Sequence, residues 1–406
     1  MLKVNVEKIK LVFILALVVL NSGYALSLGY QFMIMLLSML FIAADIFISK
    51  KALKVSKNSL IFFVLMVSQF ALSCVVNFDI IGIAEYIRLT GIFIFCYYVY
   101  ISYPQKDIAH GFADLMYFIA AISIVFYVWI TLFPSFAFRV HNGYGTEYLT
   151  CFFSFINTSS SGRNCGAFWE PSVFAAMCFL WGIVEICIIR DLGNRKLRIG
   201  ILILTIITTY STSGYLYLVF LFVLFIFRND SKKLSLYRVI CAFVLMTLCL
   251  VVCFNYEKIL LELVEINPLV FKKLMTNNVS VTDRSIGPLA DLYVAVRNPF
   301  GVGLTDLTSI VENIAYKVFG MSIHTRTSTI TYYFAAFGWV SGIAIVTVLV
   351  NWARKNARSI LLATIVISGL VFMSISTPLH ASAVFIILLF MGTQGSFAER
   401  KIQENR

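Results

Sequence analysis

Long apolar blocks alternate with short polar breaks along almost the whole chain. Leu11–Leu20, Ile61–Val67 and Gly342–Val350 contain no charged residue. A helix needs roughly 20 mostly apolar residues to cross about 30 Å of hydrocarbon. Every backbone amide in that layer must be bonded internally, which selects helices over open strands. The alternating segments that mark a membrane barrel are absent. The pattern predicts spans near 9–28, 30–49, 58–77, 81–101, 113–133, 167–190, 198–211, 213–228, 236–255, 328–350, 358–376 and 378–394. The expected fold class is therefore an all-α integral membrane protein of about 12 transmembrane helices. Residues 1–406 form a single polytopic domain in this reading, with no independent soluble domain.

Composition agrees with this pattern. Hydrophobic residues make up 60% of the chain and charged residues 13%, against about 45–50% and about 25% in soluble domains. The net charge of +12 would point to nucleic acid on a soluble protein, but here its placement gives another reason. Of 32 basic residues, 22 fall in the first ten residues, the last seven, or the breaks after the even-numbered spans. That is the positive-inside bias, so those segments and both termini are expected in the cytoplasm and no nucleic-acid partner is expected. Leu11–Leu26 reads as the first span rather than a cleaved leader. Parity also divides Ile199–Arg228 into two short helices with a turn at Ser211-Thr212-Ser213-Gly214, because a single crossing would put the basic cluster Arg228–Arg238 outside. Such short helices are expected to thin the layer or to be buried inside the protein.

Two outer segments are long, about 134–167 and 255–327, while the other outer breaks are a few residues. Long segments in a chain of tight loops are where function concentrates. No internal repeat of the kind found in many transporters is visible. The nine cysteines include no CxxC pair. Cys151 and Cys165 fall in the first outer segment, where an oxidising compartment would permit a disulfide; the other reading is two buried thiols.

No P-loop, GxSxG or HExxH motif is present, and Gly301-Val302-Gly303 reads as a turn. Nine basic residues are expected outside against the bias: Arg139, Arg163, Lys258, Lys272, Lys273, Arg284, Arg297, Lys317 and Arg326. His141, His324 and His380 join them. A solvated surface accounts for such charges individually. A cluster of arginines at the membrane surface would suit an anionic head group, since guanidinium pairs bidentately with phosphate. Glu85 and Arg88 lie three apart on one face of the fourth span, as an ion pair or as a phosphate-binding arginine with its counter-ion. The densest constellation is Arg163-Asn164-Cys165-Gly166-Ala167-Phe168-Trp169-Glu170-Pro171-Ser172. Pro171 suits the first turn of a helix, Glu170 would sit at its positive end and Trp169 would be an interfacial anchor.

These residues carry a resemblance. RNCGAFWEPSVFAA resembles the R-x-x-G-x-x-x-E-P-S/T-x-x-A signature of bacterial O-antigen and capsule polymerases of the Wzy type, which share a superfamily with O-antigen ligases. YSTSGYLYLVF resembles their paired short helices, TDRSIGPLADLYVAVRNPFGVGL their outer-loop arginine followed by a Pro-Phe-Gly-x-Gly turn, and STITYYFAAFGWVSGI their Gly-centred span. The resemblance implies a bacterial inner-membrane enzyme with two larger periplasmic loops. Its substrate would be an oligosaccharide repeat on undecaprenyl diphosphate, and it would transfer a growing glycan between lipid carriers at the periplasmic face. Membrane lipid and a chain-length regulator protein are the candidate partners; no metal and no cofactor are implied. Arg163, Arg284 and Arg326 are the candidates for the diphosphate, with Arg88 behind them, and Glu170 or His324 for the catalytic base. Asp283 would orient Arg284. The Ser-Arg of the ligases is here Thr212-Ser213, and His324 lies further from Gly338 than in the ligase pattern. A ligase and a flippase or transporter for the lipid-linked sugar are the competing readings.

Overall fold

The computed structural model describes residues 6–49, 53, 55–158, 162–191, 195–228, 279–324 and 326–394. The expected ninth span near 236–255, loop residues 255–278 and the basic residues Lys232, Lys233, Arg238, Lys258, Lys272 and Lys273 lie outside the described residues, as do Lys3, Lys50, Lys51, Lys54, Arg400, Lys401 and Arg406.

The described chain is mostly helical. The helices are α1 (Val6–Leu20), α2 (Gln31–Ser49), α3 (Lys57–Val76), α4 (Ile83–Ser102), α5 (Gln105–Leu132), α6 (Pro171–Ile183, continued by a π-helical turn Val184–Ile189), α7 (Lys196–Thr208), α8 (Thr212–Phe227), α9 (Val279–Arg297), α10 (Leu307–Phe319), α11 (Ile330–Phe337), α12 (Trp339–Asn356), α13 (Ile360–Ser376) and α14 (Ala383–Gly392). Five helical stretches are long and apolar enough to cross a membrane: Gln31–Ile48, Lys57–Val76, Ile83–Ser102, Gln105–Leu132 and Pro171–Ile189. Their surroundings fit that role. Phe47 and Ile48 on α2 and Val75 on α3 are apolar side chains turned outward, an arrangement that water penalises and lipid accepts.

α6 and α14 are buried along their whole length, as expected of helices apolar on every side. Small residues allow close packing around α6: a Cβ on Gly182 would strike Leu221 of α8, and one on Gly214 would meet Ala175. Each of α7 and α8 turns one side inward and leaves the other exposed, through Leu204 and Ile207 on α7 and Val219 and Phe222 on α8. The pair is therefore half-buried rather than enclosed.

Contacts sort the connections into two ends. At one, Arg190 after α6 donates to the Asn356 carbonyl, and Lys355 donates to Gln105 and Gln394. At the other, the Ala383 amide donates to the Asn21 carbonyl, the Gly143 amide to Leu28 and the Leu304 amide to Asp79. Basic residues crowd the first end; the candidate site lies at the second.

Two expectations require correction. The chain is not all-α: the segment after α5 folds into a four-stranded antiparallel meander, β1 (Phe138–His141), β2 (Glu147–Cys151), β3 (Ser154–Asn157) and β4 (Asn164–Gly166). The strands are too short for an alternating pattern to stand out, but Asn142-Gly143 is a hairpin turn signal. Asn142 Oδ1 accepts the Tyr144 and Thr146 amides and closes that turn. Cys151 and Cys165 lie on strands separated by β3, and both are free thiols. The single span expected near 328–350 is two helices, α11 and α12, broken at Gly338 with φ 83° and ψ −178°. Where it is described, the second long segment carries α9 and α10.

Candidate functional site

The loop between α9 and α10 sets the geometry. The amides of Val302 and Gly303 donate to the Ala335 and Ala336 carbonyls at the end of α11, and the Trp339 amide donates to Pro299. Gly301-Val302-Gly303 is thus a turn clasped to a helix end. Asp79, in the α3–α4 connection, fastens it by accepting from the Leu304 and Thr305 amides, Thr305 Oγ1 and the Gly82 amide.

α9 carries the first part of the site. Asp291 is 1% exposed and accepts from Arg326 at 2.5 Å, Ser328 at 2.5 Å and Thr331 at 2.8 Å. Asp283 accepts the His324 backbone amide at 2.8 Å. It therefore anchors the strap before α11. Arg284 and Asp291 are seven apart, so they share a helix face about 10 Å apart along the axis.

Arg326 lies over the Tyr332 ring, 4.9 Å from its centre. Tyr332 in turn stacks on His380 with ring centres 4.0 Å apart and planes at 16°. Tyr333 Oη holds the His380 carbonyl at 2.5 Å. His380 faces a polar cavity of about 370 Å³ whose wall also includes Glu85, Arg88, Tyr144, Trp169 and Gln31. Arg88 is buried and paired with Glu85, through Nε to Oε2 at 2.7 Å and a second contact from Nη2 to Oε1.

Arg163 and Glu170 approach from the sheet side. α6 starts at Pro171 with Glu170 at its N-cap, where no side-chain cap bond forms. Tyr148 donates to the Trp169 carbonyl, and the Trp169 amide to Gly23, which fixes this segment against the α1–α2 turn. Asn164 is fully buried and donates to Thr208 and Ser123, so β4 is tied to the turn between α7 and α8. Burial lowers the Arg163 pKa; Cys165 and Glu170 oppose that shift, and the Arg284 charge adds to it. Arg163, Glu170 and Arg284 therefore share one electrostatic neighbourhood. His324 is exposed, and its backbone amide donates to Asp283.

Two residues that the sequence did not mark as site residues are central here. Asp291 was visible as a lone carboxylate in the apolar run LADLYVAV. His380 follows Pro378 in a short connection, and only its position beside Tyr332 and the cavity marks it out. Nδ1 of His380, Nε of Arg284 and Nε of Arg326 are buried with no hydrogen-bond partner among the described residues. A buried donor or acceptor left unpaired costs about 1–3 kcal/mol. Three at one end of the bundle are suited to a ligand that satisfies them.

Burial, with Arg326 and Arg88 nearby, pushes the His380 imidazole down to about 3. Its ring is neutral at pH 7. Because the folded value lies below the usual imidazole range, the unfolded chain takes up the proton first. The stability involved is complete above the unfolded value and declines as pH falls toward 3. Acidification from pH 7 to 5 should cost on the order of 1–2 kcal/mol at this residue. Melting of purified protein at both pH values checks this: the acid shift should be smaller in His380→Gln, and an equal shift would mean that His380 is not the responsible group.

No protein-family model, no curated protein and no solved structure matches this chain.

Proposed function

We propose that the protein is a polysaccharide polymerase of the inner membrane, transferring a glycan from one undecaprenyl-diphosphate carrier to the next lipid-linked repeat unit. In this reading the chain crosses the membrane about 12 times, with both termini and the basic end in the cytoplasm and the site end in the periplasm. The observation that carries it is the set of buried, unpartnered polar atoms on Arg284, Arg326 and His380, of which His380 lines the polar cavity and Arg326 connects to it through the Tyr332 ring. Arginine is suited to diphosphate because it offers paired donors in a plane. Arg284, Arg326 and Arg163, with Arg88 on the cavity wall, would meet the charge that develops on the departing diphosphate.

The reaction balances as a displacement. A hydroxyl of the acceptor sugar attacks the anomeric carbon of the donor glycan, whose bond to the diphosphate oxygen breaks. The diphosphate leaves with the electron pair, and a base takes the hydroxyl proton. His380 is the group we assign as base, with Glu170 beside the same cavity through Trp169. A neutral imidazole has its lone pair available; burial is the main depressor of its basicity, and a diphosphate on Arg88 and Arg326 would offset the smaller share that their charges add. This assignment differs from the expectation of Glu170 or His324, because His324 is exposed and away from that wall.

Purified protein in liposomes with its lipid-diphosphate repeat unit should yield a ladder of products on a gel with no other enzyme present. An unextended repeat unit would overturn the reading. Glycosylation of added lipid A core would then identify a ligase, and movement of the unit across the bilayer without transfer a transporter.

A further inference from the structure

The basic end holds a second feature that the proposed reaction does not use. The π-helical turn after α6 ends at Arg190, whose φ of 65° is left-handed and uncommon for a residue with a side chain. Its guanidinium donates to the Cys187 carbonyl at 2.7 Å and the Asn356 carbonyl at 2.8 Å, tying the end of α6 to the end of α12. Against this tie lies a groove of about 790 Å³. Arg190, Arg354, Arg358 and Ser359 line its polar side, and Val350 and Ile367 its apolar side. No carboxylate lines it. Arg354 and Arg358 are exposed and have no acidic partner among the described residues.

The lip of the groove is apolar. Ile360 is 86% exposed and Leu361 53% exposed, at the first turn of α13. Three guanidinium groups above an apolar wall, with bare aliphatic side chains beside it, match an amphiphile with an anionic head and hydrocarbon tails. A free anion would use the arginines and gain nothing from Ile360 and Leu361. Three other basic residues at this end are engaged by protein: Lys355 by Gln105 and Gln394, Arg195 by Glu185, and Arg198 by Asp114.

We propose that this groove binds the head-group phosphate of an anionic membrane lipid, with Arg354 and Arg358 as its principal ligands and Arg190 fixing the wall. The site is separate from the polar mouth, and it stands whether or not the protein is a polymerase.

The test is thermal melting of the purified full chain in neutral phosphatidylcholine nanodiscs with increasing phosphatidylglycerol. The wild type should gain thermal stability in a saturable way. Arg354→Gln with Arg358→Gln should move the midpoint to lipid fractions on the order of tenfold or more higher, since each substitution removes a charge-assisted bond to the phosphate held in the groove. Lys106→Gln with Lys196→Gln removes the same charge at the same end and should leave the midpoint unchanged. Equal responses in both double variants would overturn the site in favour of general charge attraction. Protection by soluble glycerol phosphate at comparable concentration would overturn the lipid in favour of a free anion. Should the glutamine pair not fold, Ile360→Ser with Leu361→Ser supplies the second measurement: a weakened lipid response is expected, and an unchanged one counts against the proposal. Ladder formation is scored separately, so a wild type without polymer but with the lipid response would refute only the reaction.

Discussion

Arg284→Ala is expected to abolish polymer formation while leaving the melting temperature unchanged or slightly raised. The two halves of this result have one cause. Arg284 makes no ion pair or hydrogen bond that its removal would break among the described residues, and its Nε is buried without a partner. Deleting it removes an unsatisfied group and relieves its repulsion of Arg163. A donor that is idle in the resting protein and engaged when diphosphate charge develops acts on the transition state, where one such donor is worth about 10²–10³ in rate. Asp291→Ala should behave differently. Arg326, Ser328 and Thr331 would all lose their acceptor, leaving a buried charge without a partner, which costs about 3–5 kcal/mol. That variant should lose both polymer and melting temperature. Ladder length and melting, measured on both purified variants, separate the roles. Full-length polymer from Arg284→Ala would remove Arg284 from the site. A marked fall in its melting temperature would mean that the side chain has a structural partner.

The helical segments could be read from the sequence because their signal is long and one-dimensional. Among the described residues, the expected segments hold helices, but the first stops at Leu20 instead of near residue 28 and the one near 328–350 breaks at Gly338. That break was the part of STITYYFAAFGWVSGI that hydropathy could not show. Apolar residues run straight through it, and only the backbone angles reveal two helices. The sheet escaped for the opposite reason. Strands of three to five residues give no periodicity to measure, and their one legible mark was Asn142-Gly143. At the site, arginines could be named because charge outside an apolar block is conspicuous. Their partners could not, because pairing is set by tertiary packing: Asp291 meets Arg326 across 35 residues of sequence. His380 illustrates the limit most clearly. Nothing near it in the chain suggests a base; the burial that keeps its ring neutral, the Tyr332 ring stacked on it and Arg88 on the same cavity wall are all set by tertiary packing.

Gly338→Ala is expected to be the most destabilising small substitution among the residues discussed here. With φ at 83° and ψ at −178°, Gly338 occupies a backbone region that is essentially closed to other residues. Space is lacking as well: an added Cβ would lie 2.2 Å from the Pro299 carbonyl oxygen, and that obstacle is backbone. The neighbour cannot yield without cost. Pro299 accepts the Trp339 amide at 3.0 Å, while Val302 and Gly303 donate to the end of α11 and Asp79 holds Leu304 and Thr305. Gly301 faces the same contact from the other side, where a Cβ would meet the Ala336 oxygen at 2.2 Å. Two glycines thus allow the turn and the helix break to interlock, and one methyl group must separate them. Backbone strain and broken amide pairs together place the loss above about 4 kcal/mol, the range where single substitutions are exceptional. Gly200→Ala is the matched comparison: it lies within α7, with nothing within 4 Å of the added Cβ, and should be neutral or stabilise by up to about 1 kcal/mol. Melting of the two variants in the same detergent gives the comparison. Near-equal values would mean that the turn is not clasped to α11 in the folded protein. A collapse confined to Gly338→Ala should carry polymer formation with it, because α11 bears Thr331 and Tyr332, the residues that join Asp291 and Arg326 to His380.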